Sequence, residues 1–179
     1  LVLFFAMAIV TVFAAPAEKF PQTLLVEGNV TLRLNGVGTR EKFWIDLYRI
    51  GLYIPAKCRK ASFIIKEEQP QLVKVVIVSS FISDKAMREG IEKGFEKSTS
   101  GQMGSLGKRI DNFIAAFASG IQKGDEYDLF YSPGTGVSVV KNGHILTTIP
   151  GRDFKEALFG IWLGELPAQQ SLKKALLGL

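Results

Sequence analysis

The sequence predicts an α+β domain with a layer of helices on one face of a large, mainly antiparallel sheet. Three observations carry this. Residues 30–54 alternate apolar and polar side chains, and a β-branched run follows at 72–79. Apolar stripes at helical spacing then occupy residues 83–121. The pattern returns to strands around Asn142-Gly143, a strong hairpin signal, and closes on two further helical stripes.

Each element follows from its residues. Val30, Leu32 and Leu34 alternate with Thr31, Arg33 and Asn35, the period of a half-buried strand. Asn35-Gly36-Val37-Gly38 reads as a turn. Phe43, Ile45 and Leu47 then share one face. The parity switches at Ile50, Leu52 and Ile54, which calls for a bulge near Arg49 or burial on both faces. Pro55 ends the strand. Residues 62–66 read as a short strand, and 72–79 as a central one. Ser83 suits the N-cap of a helix starting at Asp84, with Met87, Ile91 and Phe95 on one face. After a Gly- and Ser-containing loop, Leu106, Ile110, Phe113, Ile114, Phe117 and Ile121 mark a second helix, stopped by Gly124. Residues 127–131, 137–140 and 145–149 read as strands. Phe154, Ala157, Leu158, Ile161 and Trp162 form the third helical stripe, and residues 169–177 a short last helix. Phe159 and Trp162 share that third helix but point in different directions, which leaves one of them for a surface contact. No internal repeat or linker divides the chain.

Composition narrows the function. The chain has 179 residues, 47% hydrophobic and 22% charged, which excludes disorder, collagen and coiled coil. One Cys and one His exclude an internal disulfide and any metal site built mainly from those residues. Cys58 reads as a buried structural residue, with a reactive thiol as the alternative. The net charge is +5, but the 22 basic residues are scattered from Lys19 to Lys174. That spread argues against nucleic acid and remains compatible with anionic ligands or lipid headgroups.

Residues 1–17 carry no charge and end in small residues, the pattern of a signal peptide cut after Ala14 or Ala17. An initiator Met and a basic segment are expected upstream of Leu1. The reading implies an exported, periplasmic or secreted protein whose single domain covers 18–179. An uncleaved anchor is the alternative, although the run is shorter than the roughly 18–20 apolar residues a span needs. The other apolar runs are strand-length, so no integral span is expected after signal removal.

Most catalytic templates fail. Gly36-Val37-Gly38 lacks the third Gly of a dinucleotide loop, and no phosphate loop occurs, so no cofactor is expected. His144 sits beside a hairpin Gly and reads as a solvated turn residue, which disfavours His-dependent hydrolysis. Ser105…Lys108 and Ser171…Lys174 match Ser-x-x-Lys without companion motifs. No catalytic residue is assigned. Arg40 and Tyr48 form the candidate binding pair. An Arg on one strand and a Tyr on its hairpin partner can converge on a carboxylate, one through a forked charge and the other through a hydroxyl. A solvated Arg and a core-edge Tyr are the plainer reading of the same residues.

The stretch from Leu34 through Arg40 to Trp44-Ile-Asp-Leu-Tyr48 and Pro55 resembles the chalcone isomerase-like family. So do Phe113–Tyr131, with Gly124-Asp125 and Phe-Tyr-Ser-Pro, and the closing Ile161-Trp-Leu-Gly164…Leu172-Lys-Lys. The similarity spans most of residues 18–179 and looks like the exported bacterial branch. It implies a large antiparallel sheet, a helical layer and a ligand cleft between them. In enzymes of the family the Arg after the Gly-rich turn matches Arg40, while their Thr position holds Tyr48. Their Tyr, Lys and Asn fall in 82–90, where Lys85 approximates the Lys and no Tyr or Asn occurs, and their late Ser or Thr falls at Ile161. Fatty-acid-binding relatives use an Arg and a Tyr on the ligand carboxylate, and Arg40 and Tyr48 look like that pair.

The resemblance therefore implies a non-catalytic binder of a fatty acid or similar amphipathic carboxylate. An intramolecular lyase or isomerase acting on a chalcone-like enone is one alternative. An envelope protein-interaction module is the other.

Overall fold

The computed structural model describes residues 19–118 and 120–179. Seven strands form one sheet in strict chain order: β1 (Thr23–Val26), β2 (Val30–Lys42), β3 (Ile45–Ile54), β4 (Gln71–Ile77), β5 (Glu126–Ser132), β6 (Gly136–Lys141) and β7 (His144–Ile149). Every neighbouring pair is antiparallel. The helices are α1 (Ala61–Lys66), α2 (Asp84–Ser98), α3 (Gly107–Ala115), α4 (Arg152–Leu163) and α5 (Gln170–Leu176).

The α+β architecture is the one the periodicity predicts. β4 lies at the centre of the sheet and is buried at every position, as its β-branched run requires. Ile50, Leu52, Val73, Val75, Leu129 and Val139 pack under Ile91, Phe95, Phe113, Phe154 and Leu158 of the helices. The other face carries a smaller cluster of Phe20, Leu32, Leu34, Tyr53, Leu72 and Val76, to which no helix contributes. Ser83 caps α2 by accepting from the Ala86 N–H at 3.1 Å. Asn142 and Gly143, at φ 50° and 83°, make the β6–β7 turn.

Several expectations need correction. Asn35–Gly38 is not a turn, because β2 runs straight through it. The glycines are there for close approach. A Cβ on Gly36 would collide with the Ala175 carbonyl oxygen, and one on Gly38 would lie 2.6 Å from Leu172 Cδ1. α5 packs directly on the strand at this point. The actual turn falls at Phe43-Trp44. Residues 62–66 belong to helix α1 and not to a strand, despite Ile64 and Ile65. The cause is tertiary: Lys155 Nζ donates to the Ile64, Ile65 and Glu67 carbonyls at 3.0, 2.8 and 2.8 Å and closes the helix end. α3 stops at Ala115, well short of Ile121. Phe159 and Trp162 are both buried, so neither supplies the surface contact. Cys58 is half-buried.

Two bulges set the geometry of the site. Asn35 is the extra residue between the pairs Leu34↔Tyr53 and Gly36↔Leu52. Leu32 and Leu34 lie on the outer face, so a regular strand would put Arg40 there too. The bulge turns Gly36, Gly38 and Arg40 to the helix side. Asn35 is held in place by its own side chain, which donates to the Cys58 and Leu176 carbonyls at 2.9 and 2.8 Å and accepts from the Cys58 N–H. The second bulge is Leu47, between Arg40↔Tyr48 and Glu41↔Asp46. It explains the parity switch, together with the burial of Tyr53 on the outer face.

The signal-peptide reading falls on residues 1–17, outside the described residues. Among the described residues no helix is long and apolar enough to cross a membrane.

Candidate functional site

A cavity of about 350 Å³ opens between the sheet and helices α2, α3 and α4. Its size is at the low end of ligand pockets, which run from about 300 to 1,000 Å³. Val75, Tyr127 and Leu129 of the sheet form one wall, while Ile91, Phe113, Leu158 and Ile161 of the helices form the other. Phe43, Ile45 and Phe81 line its open end, where they are exposed. Arg40 and Lys42 are the charged residues of the lining, and Lys42 is exposed.

Arg40 and Tyr48 are cross-strand partners on the helix-facing side, and both line the cleft. Tyr48 Oη accepts from Trp162 Nε1 at 3.0 Å. Its own proton has no acceptor among the described residues, so it can donate into the cleft. Burial pushes the phenol above its ordinary value, against the lowering effects of the Trp162 hydrogen bond and the Arg40 charge. Tyr48 is therefore a neutral donor across the physiological range.

Arg40 is half-buried and makes no ion pair with any described residue. Its Nη1 donates to the carbonyl of Glu41 and, at 3.1 Å, to Gln169 Oε1. That same oxygen accepts from the Glu41 N–H at 3.0 Å. Gln169 is braced through Nε2, which donates to Ser171 Oγ at 2.8 Å and to the Thr39 carbonyl at 3.4 Å. A carboxamide oxygen thus stands against the guanidinium where an anion would be stronger.

Trp162 and Gln169 were missed as site residues by sequence reasoning. The helical stripe gives Trp162 a packing role, and Gln169, at the head of the short last helix, belongs to no motif. Gly90 was missed too. It lines the cleft from α2, and a Cβ built there meets nothing within 4 Å. Of the positions carried over from enzymes of the resembling family, Ile161 lines the cleft, whereas Lys85 lines a separate hollow with Asp84 and Arg88. His144 is exposed at the start of β7. No cluster of metal-ligating side chains occurs among the described residues.

A model of the chalcone isomerase-like family matches residues 16–178. The chain belongs to that family. Among solved structures, this chalcone isomerase-like protein is similar to the crystal structure of an Arabidopsis thaliana fatty-acid binding protein. The two are 18% identical with a TM-score of 0.68, over 88% of this chain and 90% of the other. That likeness establishes the fold. No curated protein sequence matches.

Proposed function

We propose that this chalcone isomerase-like domain binds a fatty acid or similar amphipathic carboxylate in the cleft and releases it unchanged. The observation that carries this reading is Arg40: a half-buried cation without an acidic partner among the described residues, at the edge of an apolar cavity. A carboxylate would supply the missing charge, and Tyr48 would donate to its second oxygen. The apolar walls would take the acyl chain. The structural neighbour is a fatty-acid binding protein of Arabidopsis thaliana, which supports the same reading. Enone cyclisation is less favoured, because residues 82–90 contain neither the Tyr nor the Asn of the enzymes. We further propose that the protein acts after export, on the strength of the uncharged, apolar residues 1–17.

The test is mass spectrometry of organic extracts from gently purified protein, beside an Arg40→Ala control, followed by titration with saturated fatty acids of increasing length. The expected result is a stoichiometric carboxylate that is lost in the control. Affinity should rise about fourfold per methylene until the cleft is full, since each buried CH₂ contributes about 0.8 kcal/mol. Equal affinity in Arg40→Ala would refute the site.

A further inference from the structure

The hairpin joining β2 to β3 departs furthest from what folding alone would select. Its turn residues, Phe43 and Trp44, both adopt left-handed backbone angles, at φ 52° and 61°. A two-residue turn of this kind favours Asn-Gly, and the chain uses that pair between β6 and β7. Bulky side chains are strained in this conformation. Packing does not compensate, because Phe43 is 77% exposed and Trp44 98%. Phe81, just ahead of α2, is also 77% exposed. These are the three most exposed large apolar side chains among the described residues. Phe43 and Phe81 line the open end of the cleft, and Trp44 extends beyond it at the hairpin tip.

We infer that this rim docks the protein on a zwitterionic lipid bilayer. The hairpin tip and Phe81 enter the headgroup boundary and bring the cleft mouth against the membrane. An indole at a protruding tip suits that boundary, with its ring face apolar and its N–H wet, and the Phe43 and Phe81 rings add apolar area beside it. The surrounding charge fits a layer bearing both signs. Within four residues of Phe43, Trp44 and Phe81 the chain carries Arg40, Lys42 and Lys85 against Glu41, Asp46 and Asp84, so neither sign is in excess around the three rings. Lys42 Nζ lies over the Phe43 ring, 5.5 Å from its centre, which puts an ammonium beside the aromatic tip where a headgroup phosphate would meet it. The direction of traffic, from bilayer into cleft, rests on the carboxylate-binding reading, whereas the docking itself does not.

The experiment follows Trp44 emission in the full chain with phosphatidylcholine vesicles, taken as the difference between wild type and Trp44→Gly. The other indole, Trp162, is buried and present in both proteins. Docking predicts a blue shift of the Trp44 signal, protection from iodide, and quenching by phosphatidylcholine brominated on its acyl chains. Trp44→Gly should weaken vesicle partition about tenfold, and Phe81→Ser, on a separate segment, should weaken it too. Trp44→Gly should fold with an undiminished denaturation midpoint, because Gly relieves the left-handed strain. Trp44 that stays iodide-accessible at saturating lipid overturns the proposal, including the case in which residues 1–17 alone tether the chain. A blue shift that grows with protein concentration without vesicles also overturns it and assigns the rim to a second copy of the chain. Dodecanoate binding in vesicle-free buffer, compared between wild type and Arg40→Ala, tests the carboxylate site separately. Trp44 insertion without Arg40-dependent binding would refute that site and leave the docking standing.

Discussion

Tyr48 Oη accepts a 3.0 Å hydrogen bond from Trp162 Nε1, tying β3 to α4 across the cleft. The bond satisfies a buried indole N–H and leaves the phenol proton free for a ligand. Tyr48→Phe removes both functions. An unpaired buried donor costs about 1–3 kcal/mol, so the urea midpoint should fall. Dodecanoate affinity should fall about tenfold with it. A lower midpoint at unchanged affinity would make Tyr48 a brace and not a ligand-binding group.

Gln169 separates the two ways of filling the Arg40 site. Its carboxamide oxygen bonds Arg40 Nη1 at 3.1 Å and the Glu41 N–H at 3.0 Å. Gln169→Glu would set a permanent carboxylate against the guanidinium and should cut fatty-acid affinity at least about tenfold at neutral pH. Gln169→Ala removes a competing acceptor that makes a charge-assisted hydrogen bond and should tighten binding about tenfold. Calorimetric titration of both variants checks the pair, and effects of the same sign would refute competition.

Gly90 should control how much of the cleft is available. Its neighbour on the helix, Gly94, has a packing reason, since a Cβ there would lie 2.9 Å from Ile161 Cγ2. Gly90 has none and faces open space in the lining. Gly90→Leu should fill the cleft and abolish fatty-acid binding while raising stability by about 0.5–1 kcal/mol through helix propensity. Retained binding would show that the ligand lies elsewhere.

Lys155 predicts a pH dependence. It is 0% exposed, with Nζ bonded to three carbonyls at the end of α1 and 5.1 Å from the Tyr131 ring centre. Burial lowers its pKa from 10.5 to about 8, outweighing the raising influence of Glu156. Between those values the unfolded chain holds a proton here that the folded chain has released, so stability should rise with pH across that window. Below it both states are protonated and this contribution is flat. Lys155→Met should abolish the slope and, by stranding buried carbonyls, lower stability at pH 7 by about 1–3 kcal/mol. Urea denaturation of both proteins from pH 7 to about 10 reads both effects.

The strands β5 to β7, the Ser83 cap and the α4 stripe were legible because their signals are local: alternation, a capping hydroxyl, an Asn-Gly pair, apolar residues at helical spacing. Gly36 and Gly38 misled because a turn and a close approach both select glycine, and the helix that approaches them comes from the far end of the chain. Ile64 and Ile65 favoured a strand until Lys155 overrode them. Arg40 and Tyr48 were identifiable by residue type and spacing. Their common orientation depends on extra residues at Asn35 and Leu47, which alternation hints at without locating. Trp162 and Gln169 reach the site from 114 and 129 positions away, a distance over which periodicity is silent.

The order of the strands carries a kinetic consequence. From β1 to β7 each strand lies beside its sequence neighbour, so none waits for a distant strand to vacate its place. The β2–β3 and β5–β6–β7 meanders can zip from their own turns on the microsecond scale of isolated hairpins. Joining β4 to β5 alone requires closing a long excursion, the one that contains α2 and α3, and the entropy of that closure grows only with the logarithm of its length. The topology therefore predicts that the two meanders form early, and that the sheet wall of the cleft, shared between Val75 of β4 and Tyr127 and Leu129 of β5, is completed only when that excursion closes. Until the helices settle, apolar strands stand uncovered, and that interval is when a newly made chain is most exposed to aggregation.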